Sequence, residues 1–112
     1  MNRSYLGEFE EIVLLTVAVM EGHAYGVGLA HEITEQTGRP VQLNQVHSAL
    51  QRLEEKGMVK SEMGEPTAER GGRRKRLYTV TAYGQNTLKQ VRDVRDGLWS
   101  RLVKPFTPAL DV

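Results

Sequence analysis

A chain of 112 residues, 39% apolar and 26% charged, suits one globular domain with a modest core. It contains no cysteine, which excludes a disulfide framework and cysteine-based zinc fingers. The net charge of +1 conceals a split, because residues 1–38 set Arg3 against six acids while residues 39–112 carry fourteen cations against eight acids, a basic half of the kind nucleic-acid binders use.

Residues 8–21 place Phe9, Ile12, Val13, Val17 and Met20 on one helical face with Thr16 as the polar interruption. Leu15 and Val19 widen that surface, so the first helix is expected to be central and well buried, ending at Gly22. A second helix follows from Tyr25 to Thr37, with Val27, Leu29, Ala30 and Ile33 as its apolar pattern and Gly38 as its stop signal. Arg39-Pro40 breaks the helix, and Val41 to Leu43 reads as a minimal strand or an extended linker. Asn44 is the expected N-cap of a third helix that runs to Lys56 and stops at Gly57.

Met58 to Met63 alternates as a strand, a loop begins at Gly64-Glu65-Pro66, and Arg73 to Val80 returns as a second strand. The tip of this hairpin, Arg70-Gly71-Gly72-Arg73-Arg74-Lys75-Arg76, holds five cations and two glycines in seven residues. Such a tip suits a polyanion groove, since each neutralised phosphate releases counterions; the plainer reading is a solvated basic loop. Thr81 caps a last helix expected to reach Val103, where Pro105 and Pro108 stop it.

Three helices, a hairpin and a helix make a mainly α (α+β) winged helix-turn-helix, with residues 1–81 as the DNA-binding domain and 82–112 as a dimerisation helix and tail. Local residues agree. Leu50-Gln51-Arg52-Leu53-Glu54-Glu55-Lys56-Gly57-Met58-Val59 resembles the end of the recognition helix in PadR-type transcriptional regulators. Gly71-Gly72-Arg73-Arg74-Lys75 before Leu77-Tyr78, and Thr81-Ala82-Tyr83-Gly84 opening the last helix, resemble the same family, as does the turn His23-Ala24-Tyr25-Gly26. The resemblance spans roughly residues 9–100. His47-Ser48 stands where the family often has Tyr-Pro, so base contacts are not carried over; Ala24 in place of the usual glycine is a minor change. The single C-terminal helix looks like the short branch of the family. The resemblance implies a repressor.

With Val46 at zero and 100° per residue, Ala49, Leu50 and Leu53 fall within about 60° of it. Asn44, His47, Ser48, Gln51 and Arg52 then occupy the opposite and flanking surface, offering groups that read base edges or hold phosphates. With Arg70, Arg73, Arg74 and Lys75 of the hairpin they form the expected DNA-binding set. The last helix carries Leu88, Val91, Val94, Leu98, Trp99 and Leu102 on a broad stripe. At about 33 Å it would outrun the small core, so a homodimer is expected, with Leu88, Val91, Leu98, Trp99 and Leu102 at the interface. Trp99, the sole tryptophan, reads as an interface anchor or, as the resemblance implies, a stacking surface for a small aromatic effector.

Enzyme readings fail on chemistry. His31-Glu32-Ile33-Thr34-Glu35 puts a glutamate where a zinc-protease helix needs its second histidine. Gly26-Val27-Gly28 lacks the preceding strand of a dinucleotide fingerprint. No cofactor, metal or reaction is expected. The N-terminus shows no basic region leading into an apolar run and cleavage site, and Ile12 to Met20 is too short to span a membrane, so a cytoplasmic protein is expected. The competing reading is a winged-helix module that binds proteins instead of DNA.

Overall fold

The computed structural model describes residues 5–64 and 75–106. The elements in chain order are α1 (Glu8–Val19), α2 (Gly26–Thr37), α3 (Leu43–Glu55), β1 (Val59–Met63), β2 (Arg76–Val80) and α4 (Ala82–Ser100). α1, α2 and α3 pack on one another in a triangle, and the base of the hairpin closes one side of it. Val13, Leu14 and Val17 of α1, Leu29 and Ile33 of α2 and Leu50 and Leu53 of α3 are fully buried there, each contributing about 1.5–3 kcal/mol over an exposed position. This is the expected winged helix-turn-helix, with element bounds that differ in instructive ways.

α1 stops at Val19 rather than residue 21, and its buried face is set by Leu14. Leu15 and Val19, expected to thicken that face, are instead 51% and 71% exposed. A helix that is apolar nearly all round gives periodicity little to choose between, and only the positions of α2 and α3 decide which side is covered. Val41 to Leu43 forms no strand: Gln42 is extended and Leu43 already begins α3. Asn44 is not the cap. Gln42 takes that role, its N–H donating to Gln45 Oε1 at 2.8 Å, which leaves Asn44 in the exposed first turn.

α3 ends in a Schellman arrangement: Gly57 N–H donates to the Glu54 carbonyl at 3.0 Å and Met58 N–H to the Leu53 carbonyl at 2.9 Å. Leu53 and Met58 are both fully buried, so this turn delivers the chain from α3 into β1 at a defined angle. β1 and β2 pair antiparallel in the register Val59↔Val80 through Met63↔Arg76. Val59 and Val80 lie in the core, whereas Met63 and Arg76 are exposed, so the hairpin grows outward from its buried base. Arg70, Arg73 and Arg74 lie outside the described residues.

Thr81 caps α4 as expected, its hydroxyl accepting from Gly84 N–H at 3.0 Å and donating to the Gly57 carbonyl at 2.7 Å. α4 ends at Ser100, three residues before Val103, and spans about 28 Å.

Candidate DNA-binding face

α3 presents its polar residues in three rows. Val46, Ala49, Leu50 and Leu53 bury one side completely, which fixes the rotation of the helix. Asn44, Ser48 and Gln51 then point outward as a ridge, all exposed. The two remaining expected residues sit on the flanks, each against a neighbouring element.

His47 faces the start of α2. A Cβ on Gly26 would stand 2.6 Å from His47 Nε2, so the imidazole lies directly against that glycine. Together they line a cleft of about 450 Å³ with Tyr25, Leu43, Lys75 and Arg76, between α2, α3 and the wing. The Lys75 ammonium sits over the Tyr25 ring, 4.8 Å from its centroid, a cation–π contact that directs this side chain. Tyr78 N–H donates to the Ala24 carbonyl at 3.1 Å, tying β2 to the turn that carries Tyr25. Arg76 donates to Ser61 Oγ at 3.0 Å and Ser61 donates to Glu54 at 3.1 Å, a chain from wing to α3.

Arg52 faces α1 on the other flank. Its Nε donates to Glu10 Oε2 at 2.7 Å, and Lys56 Nζ holds Glu10 Oε1 at 2.5 Å. Burial pushes the Glu10 carboxyl up, but hydrogen bonds and charge from Lys56 and Arg52 outweigh it and hold the group below the ordinary carboxylate range. Sequence reasoning singled out neither Glu10 nor Tyr25 as a site residue. Nothing in the α1 pattern distinguishes Glu10 from Glu8 or Glu11; the only available signal was the cation pair Arg52 and Lys56, four apart on α3.

The stripe of α4 divides. Leu88 packs against the molecule's own core and Val91 is half-buried, while Val94, Leu98, Trp99 and Leu102 are exposed, Trp99 at 63%. Trp99 meets Phe106 edge-on with centroids 5.9 Å apart. A groove of about 570 Å³ runs between α1 and α4, lined by Leu15, Leu88, Arg95 and Trp99 among others. Arg95 crosses it to Glu11 of the same chain at 2.8 Å, tying α4 to α1. The described residues contain no helix long and apolar enough to cross a membrane and no cluster of three potential metal ligands.

Three packed helices, a two-stranded wing and a fourth helix make this a winged-helix protein, with an exposed polar ridge on α3. The chain matches the PadR-like family of transcriptional regulators over residues 14–90 and belongs to that family, whose members regulate transcription and are not enzymes. Among solved structures it is similar to a transcriptional regulator from Clostridium thermocellum, at 27% identity and a TM-score of 0.61, covering 91% of this chain and 96% of that one. A PadR-like transcription factor from Bacteroides fragilis shares the fold at 18% identity and a TM-score of 0.69, covering 82% and 84%. A PadR-family regulator from Eggerthella lenta does so at 23% identity and 0.62, covering 88% of each chain. No protein of curated description matches the chain.

Proposed function

We propose that this regulator is a repressor that binds a pseudo-palindromic operator sequence-specifically as a cytoplasmic homodimer, and that a small aromatic effector releases it. The observation that carries the dimer is the apolar run Val94, Leu98 and Trp99 on α4, with Leu102 just past its end, which stays largely exposed even with Phe106 against Trp99. Leaving these side chains in water forfeits stabilisation that a second copy of the helix would recover. Two-fold symmetry then presents two α3 ridges to one face of a duplex, matching half-sites about one helical turn apart.

Each ridge reads bases through Asn44, Ser48 and Gln51, with His47 and Arg52 at its flanks. The wing residues Arg70, Arg73, Arg74 and Lys75 hold phosphates and supply sequence-independent affinity. Leu88 and Val91 belong to the inner margin of the interface, and Leu98, Trp99 and Leu102 to its centre. The α1–α4 groove beside Trp99 supports the effector reading, because a planar ligand there would change how two α4 helices meet and so the spacing of the α3 pair. Sedimentation of the protein alone and with a selected duplex tests the reading. A dimer that binds that duplex in a salt-dependent way, and scrambled DNA far more weakly, is the expected result. A monomer with no affinity for duplex DNA at low salt would favour the protein-binding module instead.

A further inference from the structure

Glu10 is a carboxylate at only 8% exposure on a helix whose other buried residues are apolar or threonine. Its two oxygens are divided between cations one turn apart on α3, Arg52 at 2.7 Å and Lys56 at 2.5 Å. Lys56 is held from a second side as well, donating to the Tyr5 carbonyl at 2.8 Å. Arg52 is gripped through Nε alone among the described residues and keeps 49% of its side chain in solvent, so its terminal fork stays accessible beside the ridge.

An unrestrained arginine and lysine on the flank of a recognition helix would reach for the nearest phosphate of any duplex. Each such contact adds affinity without regard to sequence. A carboxylate in direct contact opposes that attraction, and the two-point grip fixes the direction of long side chains that otherwise sample many rotamers. Asn44, Ser48 and Gln51, on the ridge itself, are untouched by the grip.

We propose that Glu10 is a specificity-determining positioning residue: it withholds Lys56 from phosphates and aims Arg52 along the α3 ridge, lowering affinity for arbitrary DNA relative to the operator. The proposal rests on α3 being the DNA-reading helix. It is tested with two probes, a duplex selected by the full-length wild-type protein from a random pool and a scrambled duplex of the same composition, titrated over a range of salt. Glu10→Gln should bind the scrambled duplex more tightly, steepen the slope of log affinity against log salt by about one unit or more, and lower discrimination on the order of tenfold. Glu10→Asp keeps the charge and should restore the wild-type slope. Lys56→Gln should leave the slope as in wild type, because a withheld cation contributes no phosphate contact.

A folded Glu10→Gln with wild-type slope and discrimination but a lower melting temperature would overturn the proposal, leaving Glu10 a structural ion-pair partner. Should Glu10→Gln fail to fold, Lys56→Gln decides alone: a slope flatter by about one unit would show Lys56 on phosphate and overturn it. Failure of the wild-type protein to select any duplex would instead remove the DNA reading of α3, and this proposal with it.

Discussion

At the scale of single residues, α3 assigns different work to side chains that look equivalent in sequence. Gln51 stands on the open ridge, so Gln51→Ala should leave the melting temperature nearly unchanged. It should cost about 1–3 kcal/mol on a selected duplex and much less on a scrambled one if the amide reads a base. Arg52 is different. Its truncation would not spare the fold, because the buried Glu10 carboxylate would keep Lys56 as its one remaining side-chain partner among the described residues. Arg52→Ala should therefore destabilise by about 1 kcal/mol as well as weaken binding, measurable by denaturant unfolding beside the titration. The same carboxyl gives a pH signature. Its folded-state pKa lies below the usual value of 4.5, so its contribution is fully present above that value and is lost as pH falls through the depressed one. Stability should decline in acid from about pH 4.5 downward, and Glu10→Gln should flatten that part of the profile.

At the scale of elements, two joints hold the wing and α4 in place. α4 approaches the turn before β1 and the end of β2 so closely at Gly84 that a Cβ there would lie 2.3 Å from the Met58 carbonyl oxygen and 2.8 Å from a Val80 methyl. Neither the backbone oxygen nor the buried valine can yield cheaply. Gly84→Ala should cost about 3 kcal/mol or more in unfolding free energy, or shift α4 and with it the dimer. The wing, by contrast, is anchored at its base by Val59 and Val80, and Arg73 and Arg74 belong to the sequence between its two strands. Replacing Arg73 and Arg74 with alanine should weaken binding to all duplexes alike and flatten the salt slope by about one unit per lost phosphate contact, with no change in melting temperature. An unchanged slope would remove those two residues from the proposed interface.

For the molecule as a whole, the question is what covers α4. Its N-terminal half leans on α1 and β2, while Val94, Leu98 and Trp99 stay open to solvent. Trp99→Ala should weaken the dimer in sedimentation and lower DNA affinity in proportion, because a monomer loses the second half-site and its avidity. Planar aromatic compounds should quench Trp99 fluorescence over the same concentrations that release DNA. Normal dimerisation of the variant with a lost response would place Trp99 in sensing, whereas a wild-type monomer with full DNA affinity would end both roles.

Much of this was legible in the residues themselves. The stripe Val46, Ala49, Leu50 and Leu53 has a sharp polar opposite side, so α3 could have only one orientation, and the Gly38 and Gly57 stops and the Thr81 cap act through local hydrogen bonds that neighbouring residues complete. Those features depend on contacts within a few positions of sequence, which is why reading the chain locates them. What lay beyond it depends on distant segments meeting. Leu15 and Leu14 are alike until α2 and α3 cover one of them. The Glu10 grip joins residues more than forty positions apart. The sequence alone determined that there is a polar ridge and a basic hairpin tip; tertiary packing decided that Arg52 and Lys56 are tied to Glu10, because ion pairs follow distance in space and not along the chain.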